Sequence, residues 1–237
     1  MMRLNDPELV QRQYATEDGL ATRRDAQARF LEGANAFDIA VEAVVQARPH
    51  RLLEVGCGMG QFASAVVERT DAEVVATDLS PRMVELASAR GLDARVADVG
   101  TLPFADAEFD CVAANWMLYH VPDVDRALGE LRRVLEDNGT LVATTIGAEH
   151  MADVWELVGF GVPLREFSRE NGEQLLRRHF ARVERQDIDA ALVFPDETAV
   201  HGYVESTYFA DAVPRPLPSA EVPFRSRTRT TVFVARP

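Results

Sequence analysis

A chain of 237 residues, 47% of them hydrophobic, can bury a sizeable core and suits one globular domain with an added lid. The formal net charge is −13 and no Lys/Arg-rich run breaks the acidic balance, so no nucleic-acid partner is expected. All 25 basic residues are Arg, which excludes a lysine Schiff base to pyridoxal phosphate and a P-loop lysine.

Chain order then gives the elements. The start, MMRLNDPELVQRQY, lacks a charged region followed by an apolar one, so no secretory signal is expected. Residues 7–47 read as helix, broken near Glu17–Asp18–Gly19 and again near Gly33, and Pro49 stops the last segment. RLLEV (51–55) reads as a buried strand ending at glycine, and Met59 to Arg69 as a helix. EVVATD (73–78) is a strand. Ser80–Pro81 is a helix start, with the helix running to about Arg90 before Gly91. ARVAD (94–98) and FDCVAAN (109–115) are strands, Val124–Leu135 a helix, Asn138–Gly139 a turn and TLVATTI (140–146) a fifth strand. Residues 149–159, 169–178 and 195–207 read as helical, ARVERQDI (181–188) as a strand, and RTTVFVA (229–235) as a closing strand after a Pro-rich loop.

Alternating strands and helices predict an α/β, doubly wound, mostly parallel sheet, in which ligands bind outside the carboxyl ends of the strands. No apolar stretch reaches about 18 residues, so no membrane span is expected. Cys57 and Cys111 fall in or beside predicted strands, which suits a reducing cytoplasm rather than a disulfide framework. No Cys/His cluster has metal-ligand spacing, so no metal is expected.

The residues with chemistry begin at LLEVGCGMGQFA (52–63). Gly56, Gly58 and Gly60 follow an apolar strand and lead into a helix, which exposes backbone N–H groups beside the helix's positive end. Such a turn receives a pyrophosphate or another small polar group. The third glycine comes one position early for G-x-G-x-x-G, where Gln61 stands instead. Asp78, eighteen residues after Gly60, ends the next strand, where a carboxylate accepts both hydroxyls of a ribose or else caps the following helix.

E-V-G-C-G-M-G resembles the first motif of the class I S-adenosylmethionine-dependent methyltransferases. ATDLSPRMVELA (76–87) is similar to their second segment, and ADVGTLPFADAEFDCVAANWMLYHVPD (97–123) to their third and fourth. The likeness runs from about Leu52 to Gly139, within the small-molecule branch that includes the ubiquinone/menaquinone-biosynthesis-like enzymes. It implies a Rossmann-like sheet of seven strands, the last of them antiparallel and inserted between the fifth and sixth. The cofactor it implies is S-adenosyl-L-methionine. Gly56, Gly58 and Gly60, with the small Cys57 among them, would admit the amino-acid end of the cofactor, and Glu54 would orient the loop and meet the amino group. Asp78 would hold the ribose, Leu79 and Met83 would pack on adenine, and Asp98 and the Val99 N–H would face the ring. Asn115 and Trp116 would lie along the methionine portion.

Methyl transfer needs the acceptor aligned with the methyl and, where required, a base. His120, five residues beyond Asn115, is the candidate base, with Tyr119 as a wall or gate residue and His150 further off. The alternative for His120 is a pocket wall or cap. In the N-terminal stretch Tyr14 could close the site, and Arg23 or Arg24 could take the cofactor's carboxylate. The expected division is a helical cap over 1–47 and a methyltransferase domain over 48–237, with lid segments 147–168 and 190–226. The lid carries Trp155, Phe160, Phe167, Tyr203, Tyr208 and Phe209. Its acids Asp196, Glu197, Glu205, Asp211 and Glu221 face a single Arg215, which suits an amine acceptor unless those acids only meet solvent. The competing functions are a nicotinamide-dependent dehydrogenase, which Gln61 and Glu54 disfavour, and a non-catalytic cofactor-binding regulator.

Overall fold

The computed structural model describes residues 4–207 and 209–237. Tyr208, one of the aromatics expected in the lid, lies outside them. Among the described residues the sheet has eight strands. β1 is Leu31–Glu32, β2 Arg51–Val55, β3 Glu73–Asp78, β4 Asp93–Val96, β5 Phe109–Asn115, β6 Leu135–Ile146, β7 Arg182–Phe194 and β8 Phe224–Arg236. Their order is β1-β7-β8-β6-β5-β2-β3-β4. β2 pairs in parallel with β3 and β5, β3 with β4, and β5 with β6, whereas β8 runs antiparallel between β6 and β7. Seven strands therefore fall as expected. The eighth, β1, is a two-residue antiparallel addition to the edge of β7 where the helical reading broke near Gly33.

The strands read from continuous apolar runs are buried on both faces, as a covered parallel sheet requires. Helix α1 is Pro7–Gln13, α2 Asp18–Phe30, α3 Ala36–Ala47, α4 Gln61–Val67, α5 Pro81–Ser88, α6 Val124–Val134, α7 Ala152–Leu157, α8 Gly172–Leu176 and α9 Glu197–Glu205. Local chemistry sets several boundaries. The Ser80 hydroxyl accepts from the Met83 N–H at 3.3 Å ahead of Pro81, and Asn35 accepts from the Phe37 N–H at 3.0 Å. α3 ends at Arg48 in the left-handed region, just before Pro49.

The Asn138–Gly139 turn is instead part of β6. There the ladder jumps from Phe109↔Leu135 to Cys111↔Thr140, so the extra residues bulge within one strand. One face of the sheet is covered by α3 and α4 through Ala40, Val44, Phe62 and Val66, and the other by α6 through Leu128, Leu131 and Val134. α3 thus packs with the sheet rather than over it, and only α1 and α2 of the expected 1–47 cap lie on the lid side. The lid reading over 190–226 also overlaps the sheet: β7 and β8 pair continuously from Arg182↔Arg236 to Phe194↔Phe224, which leaves α9 and the loop after it as the part off the sheet. No helix among the described residues is long and apolar enough to cross a membrane.

Candidate active site

A cavity of about 900 Å³ opens at the carboxyl ends of β2, β3, β4 and β5, roofed by α1, α2, α7 and α9. Its floor is the turn after β2. Gly56 and Gly58 have φ of 67° and 54°, which bare backbone adopts without strain. A Cβ at Gly56 would stand 2.6 Å from the Met117 Cβ, so no larger residue fits beneath the cavity there. The turn is tied to its neighbour strand: Cys57 N–H donates to the Thr77 carbonyl at 2.9 Å, and Gly58 N–H to the Asp78 carboxylate at 2.8 Å. The other Asp78 oxygen accepts from Ser80 N–H at 2.9 Å.

Glu54, Gly56, Cys57, Gly58, Asp78, Leu79, Asp98, Val99, Asn115, Trp116, Tyr119, His120, Tyr14, Arg24 and His150 all line this cavity. Gly60 and Met83 do not. A Cβ at Gly60 would meet Leu92 at 2.5 Å and Ala87 at 3.0 Å, so this glycine lets α4 start close against α5. Met83 and Ala87 are the two buried residues of α5, four apart on one face, and α5 packs on β3 and β4. Met83 is fully buried on that face and is not among the residues that line the cavity. Leu79, one residue past β3, is 63% exposed on the cavity wall, an apolar surface that a bound ring would cover.

Burial dominates the electrostatics. The Glu54 carboxyl is pushed up to about 8 by burial, against the attraction of Arg24, and accepts from the Ala63 N–H at 3.0 Å. Burial also raises Asp78, opposed by hydrogen bonds from Ser80 and Gly58. Arg24 sits 5.8 Å over the Phe37 ring, and burial lowers its pKa while Glu54 opposes that shift. Burial raises the Cys57 thiol, which keeps it protonated and inert. Asn115, which lines the cavity, accepts at Oδ1 from the Thr144 hydroxyl, while its buried Nδ2 has no partner among the described residues. Trp116, at the end of β5, holds φ of 54°, an unusual conformation for a bulky residue that is kept by its N–H bond to Thr144 at 2.8 Å.

His120 lies in a single 3₁₀ turn, Leu118–His120. Its Nδ1 is 2.9 Å from the Leu4 carbonyl, which only accepts, so Nδ1 carries the proton. Nε2 then accepts from the Tyr14 hydroxyl at 3.1 Å. Burial brings His120 down to about 4, and burial with Arg165 brings His150 down to about 3, so both are neutral. The segment bearing Tyr14 is pinned to the start of α5: Ser80 Oγ donates to the Tyr14 carbonyl at 2.8 Å, and Arg82 forks onto Glu17 at 2.7 and 3.1 Å.

The lid acids face elsewhere. Asp196 caps α9 through the Ala199 N–H, Glu197 accepts from the Ala220 N–H and Glu205 pairs with Arg215 at 2.6 Å; none of the five lines the cavity. The case for an amine acceptor therefore loses its footing, because none of the five acids lines the cavity and three of them are engaged by a helix cap, a loop N–H and a surface pair. Sequence reasoning missed Leu20, Phe37, Met117 and Arg165 as lining residues. Arg165 sits in an irregular loop, where no periodicity or spacing marks it.

Fold and site together define a mostly parallel sheet with one cavity over the carboxyl ends of its central strands, where such sheets bind ligands. Residues 53–143 match the family described as Methyltransferase domain. The chain is 40% identical over 110 residues to the demethylmenaquinone methyltransferase of Thermus thermophilus, covering 44% of this chain and 50% of that one. It is 35% identical over 127 residues to the 27-O-demethylrifamycin SV methyltransferase of Amycolatopsis mediterranei, covering 47% of each. These matches span about half the length of the curated relatives. Among solved structures, the 1,6-didemethyltoxoflavin-N1-methyltransferase of Burkholderia thailandensis superposes with a TM-score of 0.59 at 21% identity, covering 97% of this chain and 87% of that one. Residues 53–143 thus carry a methyltransferase domain, similar to the class I S-adenosylmethionine-dependent enzymes of the menaquinone and ubiquinone type.

Proposed function

We propose that the protein moves a methyl group from S-adenosyl-L-methionine to an N, O or C atom of a small molecule. The observation that carries this is the union, in one cavity, of the glycine turn with Asp78, whose carboxylate holds Gly58 N–H, and with Asp98 beyond the next strand. The residues fit the cofactor. Arg24 offers a positive charge for its carboxylate, the Glu54 carboxyl ionises once the amino group stands beside it, Asp78 faces the ribose, and Leu79 and Val99 face the ring. The orphan Asn115 Nδ2 donor lies beside Trp116 along the methionine portion. At about 900 Å³ the cavity is at the upper end of single-ligand sites, which leaves room for an acceptor beside the cofactor.

The bound cofactor supplies an activated methyl on sulfur, and the protein's task is alignment and exclusion of water. Tyr119, Trp155 and Phe209 wall the lid side, and the Tyr14 segment closes over it. With the Nε2 lone pair of His120 engaged by Tyr14, a proton leaving the acceptor reaches His120 through the Tyr14 hydroxyl. A base held near 4 is weak, so this pair suits an acceptor whose proton is already acidic or absent. A dehydrogenase reading has no support in the Gln61 position, and a purely regulatory one is separated by turnover.

Calorimetry with S-adenosylhomocysteine, followed by a cofactor-turnover assay across phenols, amines, carboxylates and acidic carbons, tests the proposal. Micromolar binding and turnover are expected. No binding at millimolar cofactor would sink it, and binding without turnover across the whole panel would favour the regulatory reading.

A further inference from the structure

The carboxylates lining the cavity gather at one end. Glu54, Asp78 and Asp98 all stand at strand ends, on the side assigned above to the cofactor, with Arg24 set against Glu54. Asp25 is the one further carboxylate among the described lining residues. It is exposed on α2 and pairs with Arg29 at 3.1 Å. Under the lid the charged lining groups are Arg165 and Arg23, beside the two neutral imidazoles of His120 and His150.

These groups are built into one wall. The Leu4 N–H donates to the Leu164 carbonyl at 3.2 Å while the Leu4 carbonyl holds His120 Nδ1, so the loop bearing Arg165 is tied to His120 through one residue. Arg165 is further held by its Nη1 donation to the Pro163 carbonyl at 3.1 Å, and Arg23 by its donation to the Ser206 carbonyl at the end of α9. Arg165 lines the same cavity as both imidazoles, and its charge contributes to lowering the pKa of each. An independent feature points the same way. Trp155 lines this side of the cavity at 6% exposure, and its indole N–H has no partner among the described residues. Buried donors of this kind are nearly always satisfied, so a ligand acceptor is wanted there. Met151 and Phe209 add apolar wall, beside the rings of Tyr119 and Tyr203.

We infer that the methyl acceptor carries an anionic group, a carboxylate or a phosphate, on an apolar body, with Arg165 binding the anion and the Trp155 N–H as a second donor. A guanidinium fork matches both anions in plane, and an apolar surround strengthens the contact. The inference rests on the methyltransferase reading for which end of the cavity is left to the acceptor. The net charge of −13 slows the approach of such a substrate but does not set its local binding.

The test is ligand-observed NMR on the full chain with S-adenosylhomocysteine present. The probes are 3-phenylpropanoate and phenyl phosphate, against phenethylamine and 3-phenylpropanol. The two anions should bind about tenfold or more tighter than the amine and the alcohol, and the tighter of the two names the anion. Arg165→Gln should weaken the anions roughly 10–100-fold and leave the alcohol unchanged. Trp155→Phe, which removes the donor and keeps an aromatic wall, supplies a second variant and should weaken the anions alone. Equal binding of all four probes, tighter binding of the amine, or an anion preference that survives in Arg165→Gln overturns the inference. S-adenosylhomocysteine affinity is measured in the same samples. Its loss in the wild-type protein would count against the methyltransferase reading, while the anion preference stands or falls by itself.

Discussion

Glu54 makes the energetic cost of the site measurable. Its carboxyl is wholly buried beneath the glycine turn and moves from an ordinary 4.5 to about 8 on folding. At about 1.4 kcal/mol per pH unit, that shift is worth about 5 kcal/mol. The folded-state pKa is raised, so the unfolded chain binds fewer protons than the native one between 4.5 and 8, and stability falls as pH rises through that window. Integrated from pH 6 to pH 8, the loss from this one group is about 2 kcal/mol. Glu54→Gln keeps an acceptor for the Ala63 N–H and removes the titration, so it should abolish this part of the slope. Denaturant melts of both proteins at pH 6, 7 and 8, without cofactor, give the difference directly. His120 and His150 titrate well below this range when folded, and they are common to both proteins. Parallel pH dependence in wild type and Glu54→Gln would show that Glu54 is already ionised in the native state and would refute the reasoning.

Three further outcomes are expected. Asp78→Ala should weaken S-adenosylhomocysteine binding by roughly 2–4 kcal/mol in calorimetry, through two lost charge-assisted bonds and a Gly58 N–H left without its acceptor, while circular dichroism remains native. If His120 takes the acceptor's proton, kcat/KM should stay flat down to about pH 5, with its acid limb near 4 rather than 6.5, and Tyr14→Phe should lower kcat at least as much as it alters cofactor affinity. Leu131→Ala on α6, fully buried against the sheet, should cost about 2–5 kcal/mol in a denaturant melt without changing cofactor affinity once folded.

What the sequence determined by itself was local. Apolar runs ending at glycine defined the central strands, because strands covered on both faces must be apolar throughout. Ser80–Pro81 defined a helix start because its hydroxyl satisfies an orphan N–H. Glycines and carboxylates at strand ends marked the cofactor side, since chain order alone puts strand ends at a switch point. Met83 and Gly60 show where that stops. Both lie inside recognisable motifs, yet helix phase put one on the buried face of α5 and close packing of α4 on α5 claimed the other. The bulge in β6 hides behind an ordinary turn signal, because only the pairing with β5 distinguishes a turn from an insertion within a strand.

The acceptor side was decided by tertiary structure alone. A count of acids over 190–224 favoured a cation, but a charge count carries no direction: none of the five lines the cavity, and three serve a helix cap, a loop and a surface pair. Arg165 came into the cavity from an irregular loop tied to Leu4, and Tyr14 met His120 across 106 residues. Contacts of that separation leave no periodicity in the chain, because they are made by the burial of the elements that carry them and not by the residues' own spacing.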